Sequence, residues 1–139
     1  MATAGELLRI WASGHIEKTL RLATGGPYAH TRNPLYVGSV LMALGLLIAS
    51  RAPVSIVAGL AYLGIFYPQI IREEANFLRD KFGAAYDLWA RDVPIFIPRL
   101  TPAGPRETRF APLRILANRE WRSVLGLAVL GALLASRLR

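Results

Sequence analysis

Two long uncharged runs set the main constraint on this chain. They cover residues 33–50 and 52–71, 18 and 20 residues long, and only Arg51 separates them. At a rise of ~1.5 Å per residue, each makes a helix of roughly 27–30 Å, about one hydrocarbon core. The competing reading is a pair of buried helices in a soluble fold. A chain of 139 residues has too little other apolar surface to wrap two all-apolar helices. The link Ser50-Arg51-Ala52-Pro53 makes the pair a tight hairpin. Pro53 suits a first helical turn, and Pro68 is expected to kink the second helix near its end.

A third apolar run, residues 123–136, is 14 residues long and short for a span. With Trp121 as an interfacial anchor, it reads as a short or tilted C-terminal membrane helix over about 121–136. The basic residues are segregated from these runs. Four Lys/Arg lie in residues 1–34 and ten in residues 72–122, while the hairpin tip holds only Arg51. The positive-inside rule therefore puts both hairpin ends in the cytoplasm. Arg137 and Arg139 then stand on the far side if the third helix spans, against the rule. The net charge of +8 suits anionic headgroups or nucleic acid. Nucleic acid is disfavoured, because the charges flank apolar runs and no nucleic-acid motif is present. With no cysteine, disulfides, thiolate metal sites and cysteine nucleophiles are excluded, and no metal site is expected. The first twenty residues hold no uninterrupted apolar core, so no cleavable signal peptide is expected.

Two amphipathic segments flank the hairpin. Residues 1–23 interleave Leu7, Leu8, Ile10, Trp11, Ile16 and Leu20 with Glu6, Arg9, Glu17 and Lys18, which predicts a helix lying among the headgroups, weakened at Gly14. Residues 73–90 place Leu78, Phe82, Ala85, Tyr86 and Trp89 at helical spacing, with Arg79, Asp80, Lys81 and Asp87 opposite. Gly83 is a candidate break in that helix. Residues 93–98 follow as an extended segment, set by Pro94 and Pro98. The expected fold is thus an all-α polytopic membrane protein. It has a helical hairpin, a short C-terminal membrane helix and interfacial amphipathic helices, in one domain over residues 1–139.

Two motifs carry chemistry. Residues 25–38 run from a glycine pair to a helix start, with Asn33 a good N-cap and Pro34 a good first residue. The free N–H groups there, with Arg32, suit an anion. A capped helix with an interfacial Arg and Tyr is the plainer alternative. Glu73-Glu74 follows directly on the second apolar run. Paired carboxylates are unfavourable near anionic lipid, so they either cap a helix beginning at residue 73 or receive a cationic ligand. A hairpin returns them to the surface of the Arg32 loop. A basic and an acidic site facing one another suit a zwitterion such as an amino acid.

Gly26-Pro27-Tyr28 with Arg32-Asn33-Pro34-Leu35-Tyr36-Val37-Gly38 resembles the signature loop of the isoprenylcysteine carboxyl methyltransferase family and its phospholipid methyltransferase relatives. Glu73-Glu74, Leu78, Phe82-Gly83, Tyr86, Val93-Pro94 and Pro98 are similar to that family's second block. The likeness covers roughly residues 9–99. It implies S-adenosylmethionine enclosed at the cytosolic face of a small helical membrane domain, with a cofactor core over about residues 25–99. It also implies a lipid-like methyl acceptor, an isoprenylcysteine carboxylate or a lipid amine. By position, Tyr28, Arg32, Asn33, Pro34, Tyr36, Gly38, Glu73 and Glu74 would belong to the cofactor site, with Tyr86 and Arg99 toward the substrate. Many members have His in place of Asn33, and members usually carry membrane helices before the region that residues 4–21 resemble.

The roles expected under this resemblance are simple. Arg32 and the helix start would hold the donor's carboxylate, and Glu73 or Glu74 its ammonium. Tyr28 or Tyr36 would face the sulfonium or the adenine, and the apolar hairpin would take the acceptor's tail. His30 is a candidate base for an amine acceptor, or merely polar surface. The expected partners are a membrane lipid or lipidated acceptor and, in the membrane, a homo- or hetero-oligomer. Two alternatives stay open. One is a sterol-reductase-like enzyme using NADPH, which the paired carboxylates oppose. The other is a truncated, non-catalytic membrane partner protein.

Overall fold

The computed structural model describes residues 1–17, 20–104 and 108–137. Lys18, Arg106 and Arg139, counted above among the basic residues, lie outside that set. Among the described residues the chain is all-α, with no strand. Its helices are α1 (Ala2–Ser13), α2 (Pro34–Ser50), α3 (Pro53–Phe82), α4 (Ala84–Asp92), α5 (Pro112–Ala117) and α6 (Trp121–Arg137), and a 3-10 turn covers Gly26–Ala29.

The two uncharged runs form the expected hairpin. Helix α2 ends where Arg51 turns left-handed at φ 52°. The Ser50 hydroxyl donates to the Leu47 carbonyl at 2.7 Å and accepts the Ala52 N–H at 3.3 Å, closing the corner. Pro53 then opens α3, where its missing N–H leaves no bond unmade. Helix α3 is the one helix among the described residues long and apolar enough to cross a membrane, and only 6% of its most apolar stretch is buried. Val54, Val57, Leu60, Ile65 and Phe66 all stand exposed. Helices buried in a soluble core therefore do not describe it. Helix α2 is apolar too, at 17 residues. The C-terminal run is helical as expected, as α6, and Arg122 lies over the Trp121 ring at 5.5 Å.

The structure corrects two expected boundaries. No helix begins at residue 73: α3 runs unbroken through Pro68 and Arg72 to Phe82. The change from apolar to polar side chains at Arg72 marks a change of surroundings, and backbone hydrogen bonds are indifferent to it. Glu73 and Glu74 therefore cap nothing. The break comes at Gly83, whose φ of 51° and ψ of −126° suit a residue without a Cβ. Arg79 braces the corner, donating to Asp87 at 2.9 Å.

The second correction concerns α1. It stops at Ser13 rather than near residue 23, and it packs along α2. The two run antiparallel, with Ala2 beside Gly45 and Gly5 beside Gly38. A Cβ on Gly5 would lie 2.4 Å from the Gly38 carbonyl oxygen. Glycine on both sides lets the backbones meet, as in close membrane helix pairs. The charges of α1 turn inward, onto α2 and the start of α6. Arg9 Nε donates to Glu120 Oε1 at 2.7 Å, and Arg9 also bonds Ser39 on α2. The Ser123 hydroxyl donates to Glu6 Oε2 at 2.7 Å. Glu6 and Glu120 are both buried.

At the polar end of the hairpin, Ala12, Tyr28, Tyr86, Trp89 and Val93 form a small core, with Leu35, Leu78 and Phe82 packed against it. Of the helical spacing read over residues 73–90, Leu78, Phe82, Tyr86 and Trp89 are this core's contribution from α3 and α4, while Ala85 is exposed.

Candidate functional site

The 25–33 loop is fixed from two sides. Gly25 N–H donates to the Thr108 hydroxyl at 2.7 Å. On the other side, the segment after α4 zips onto the loop. Arg32 N–H donates to the Pro94 carbonyl at 2.8 Å, the Thr31 hydroxyl to the Phe96 carbonyl at 2.9 Å, and Arg99 N–H to the His30 carbonyl at 2.9 Å. Asn33 stands at the N-cap position of α2 with Pro34 next, as expected. Its side chain does not cap, however. Asn33 Nδ2 donates to the Ile95 carbonyl at 2.7 Å.

The loop, α3 and α4 enclose a cavity of about 370 Å³. Tyr28 and Arg32 line it from the loop, Leu35 from α2, Glu74 and Phe77 from α3, and Trp89 from α4. Glu17, Arg21 and Lys81 stand at its charged margin. Arg32 is poorly satisfied by the protein itself. Its Nε is buried with no hydrogen-bond partner among the described residues, and one terminal nitrogen reaches the Tyr86 hydroxyl only at 3.4 Å. Glu74 is oriented from behind, its Oε2 accepting the Tyr36 hydroxyl at 2.7 Å. Burial pushes the Tyr28 hydroxyl far above the usual phenol range, so it stays neutral.

The other expected residues lie elsewhere. Glu73 is exposed and outside the cavity; one residue on a helix is a rotation of about 100°, so adjacent carboxylates diverge. Gly38 faces Gly5 and Arg9 of α1. Pro34 is buried at the start of α2. Tyr86 belongs to the core and meets Trp89 edge-on at 5.7 Å. Arg99 turns to the end of α4, donating to the Asp92 carbonyl at 2.7 Å. His30 is away from the cavity, its Nδ1 2.8 Å from the Arg99 carbonyl oxygen. Phe77 and Lys81 were missed from the sequence. They follow Glu74 by three and seven residues, so the helical spacing expected over residues 73–90 already puts them on its face.

A second, apolar cleft of about 460 Å³ opens between α2, α3 and residues 95–96, lined by Val40, Leu63, Tyr67, Ile71 and Phe96, with Arg72 at its polar end. Tyr36 stands between the two spaces: its hydroxyl holds Glu74, and its ring meets Tyr67 edge-on at 5.8 Å. Among the described residues no group of three or more His, Asp or Glu is placed to hold a metal ion.

Residues 9–85 match the phospholipid methyltransferase family. A cobalt-zinc-cadmium resistance protein of Cupriavidus metallidurans is 38% identical over 104 residues, 73% of this chain and 46% of that protein. A nickel-cobalt-cadmium resistance protein of Alcaligenes xylosoxydans is 36% identical over the same shares. A protein-S-isoprenylcysteine O-methyltransferase of Schizosaccharomyces pombe is 33% identical over 98 residues, 70% of this chain and 42% of that protein. The chain thus spans less than half the length of these relatives. No solved structure matches.

Proposed function

The chain belongs to the phospholipid methyltransferase family, and from that premise we propose that it holds S-adenosylmethionine at a membrane surface and passes the methyl group to a lipid-like acceptor. The observation that carries this reading is the pairing of Arg32 and Glu74 in the wall of one cavity. Arg32 has an unpaired buried nitrogen, which fits a carboxylate; Glu74 fits an ammonium. Together they read an amino-acid zwitterion. Leu35, Phe77 and Trp89 supply apolar walls for a flat ring. The cavity's 370 Å³ lies at the small end of ligand sites, roughly 300–1,000 Å³. A dinucleotide such as NADPH is larger by a whole nucleotide.

When bound, the donor supplies an electrophilic methyl on a sulfonium, open to direct displacement. The chain's residues bind, orient and exclude water. Alignment of this kind contributes up to ~7–11 kcal/mol. A carboxylate acceptor is already ionised and needs no base, whereas an amine must arrive unprotonated. The apolar cleft beside α3 is the place for the acceptor's tail. By the Lys/Arg count, the hairpin's two ends and the cavity face the cytoplasm, in a multi-pass arrangement with α6 as the short membrane helix. A membrane partner without catalysis is the second reading. It draws on the two resistance proteins among the relatives, whose names carry no methyl chemistry.

Titration calorimetry on purified chain in detergent separates the enzymes: S-adenosylhomocysteine is expected to bind and NADPH to give no heat. Tight NADPH binding without any donor binding would sink the proposal, and binding of neither favours the partner reading.

The carboxylates make a sharper test. Glu74→Gln is expected to weaken S-adenosylhomocysteine roughly tenfold or more, the loss of one charge-assisted hydrogen bond. Glu73→Gln, outside the cavity, is expected to stay within about twofold, as a solvated surface charge does. Equal losses would show that the ligand does not sit between Arg32 and Glu74.

A further inference from the structure

A polar recess of about 290 Å³ adjoins the first cavity, lined by Glu17, Arg21, Thr108, Arg109 and Arg114. Glu17 and Arg21 line both spaces, so the two share a wall. Three guanidiniums meet one carboxylate in the recess. Glu17 is bonded to Arg114 and lies 4.0 Å from Arg21. Among the described lining residues, two positive charges are therefore left over. The recess is held in shape. Arg114 donates to the Arg109 carbonyl at 2.6 Å, and the Thr108 hydroxyl takes the Thr24 and Gly25 N–H groups at 3.2 and 2.7 Å.

Each of these arginines adjoins exposed apolar bulk in the chain. Leu20 precedes Arg21 and is 77% exposed; Leu113 precedes Arg114 and is 78% exposed. Phe110 follows Arg109, and Leu116 lies one turn beyond Leu113 on α5; both are exposed. Water does not favour so many exposed apolar side chains beside these arginines in the chain. The boundary between headgroups and acyl chains does, with the arginine forks one layer above at the phosphates. A planar guanidinium binds phosphate through two parallel hydrogen bonds. Free phosphate would use the arginines and leave the rim in water.

We propose that this recess binds the phosphate of an anionic phospholipid, with Leu20, Phe110, Leu113 and Leu116 set into the acyl boundary beneath it. The proposal rests on the membrane reading of the chain and not on the identity of the methyl donor.

The test uses the full chain in phosphatidylcholine nanodiscs containing a little spin-labelled phosphatidic acid, read as the motionally restricted fraction. Arg109→Gln is the variant, because Arg109 is exposed and outside the first cavity. It is expected to weaken lipid association roughly tenfold. Arg91→Gln, an exposed charge on α4 outside the recess, is expected to leave it unchanged, and inorganic phosphate at matching concentration is expected not to displace the lipid. Equal association in wild type and Arg109→Gln overturns the proposal. So does an equal loss in Arg91→Gln, which would mean bulk charge alone, and so does displacement by inorganic phosphate. S-adenosylhomocysteine affinity, measured on the same preparations, is expected to be the same in Arg109→Gln as in wild type. A failure of the lipid site and a failure of the donor reading are thereby distinguished.

Discussion

Arg32→Met is expected to weaken S-adenosylhomocysteine binding by roughly ten- to a hundredfold while leaving thermal unfolding nearly unchanged. A hydrogen bond to a charged group contributes ~1.5–3 kcal/mol, so losing one or two of them gives a change of that size. Stability should hold for a separate reason. The guanidinium's internal bond to the Tyr86 hydroxyl is long, 3.4 Å, and its buried Nε has no partner among the described residues. Replacing a poorly satisfied buried charge with an apolar side chain of similar length is often neutral or stabilising. Arg32→Lys keeps the charge but loses the planar fork, so its affinity should fall between the two. Affinity indistinguishable from wild type in Arg32→Met would remove Arg32 from the site. A loss of affinity matched by collapse of the unfolding transition would assign it to the fold instead.

The second large effect is structural. Gly5→Ala is expected to lower stability by ~1–3 kcal/mol, the usual cost of overpacking. The added Cβ would lie 2.4 Å from the Gly38 carbonyl oxygen and 2.8 Å from the Met42 nitrogen, both backbone atoms. Neither can swing aside as a flexible side chain would, so α1 and α2 must separate. Arg9 stands one turn further along α1 and holds Glu120, so the separation should also loosen α6. Gly131→Ala in α6 is the matched control. Nothing lies within 4 Å of a Cβ there, and replacing an unstrained helical glycine is neutral or mildly stabilising, by ~0.4–1 kcal/mol. Thermal unfolding of the two variants in the same detergent decides the matter. If they unfold alike, the close approach of α1 to α2 is not what holds these helices together.

Much of the architecture was legible along the chain, because its causes are local. Uninterrupted apolar runs over residues 33–50 and 52–71 dictate helices whatever surrounds them. Pro53 opens the second, Gly83 ends it, and Arg51 at the tip needs no distant contact to make a corner. The loop-and-carboxylate pattern that identifies the family is likewise written in residue order. A change of polarity is legible too, but it does not mark a helix end: the backbone continues through Arg72, so Glu73 and Glu74 cap nothing.

What only the tertiary structure decided is rotation about each helix axis and which elements touch. Glu73 and Glu74 are neighbours in sequence and both exposed, yet the turn of α3 leaves only Glu74 in the wall of the cavity. Gly38 reads as a cofactor-loop residue until α1 is seen against it, 33 positions away at Gly5. Arg99 and Tyr86 were placed near the substrate by their order in the motif, but one ends on the α4 carbonyls and the other fills the core. Residue order sets hydrophobicity, capping and breaks through interactions within a few residues. The direction a side chain faces depends on the accumulated twist of its helix and on contacts with segments far along the chain, and those exist only once the helices pack.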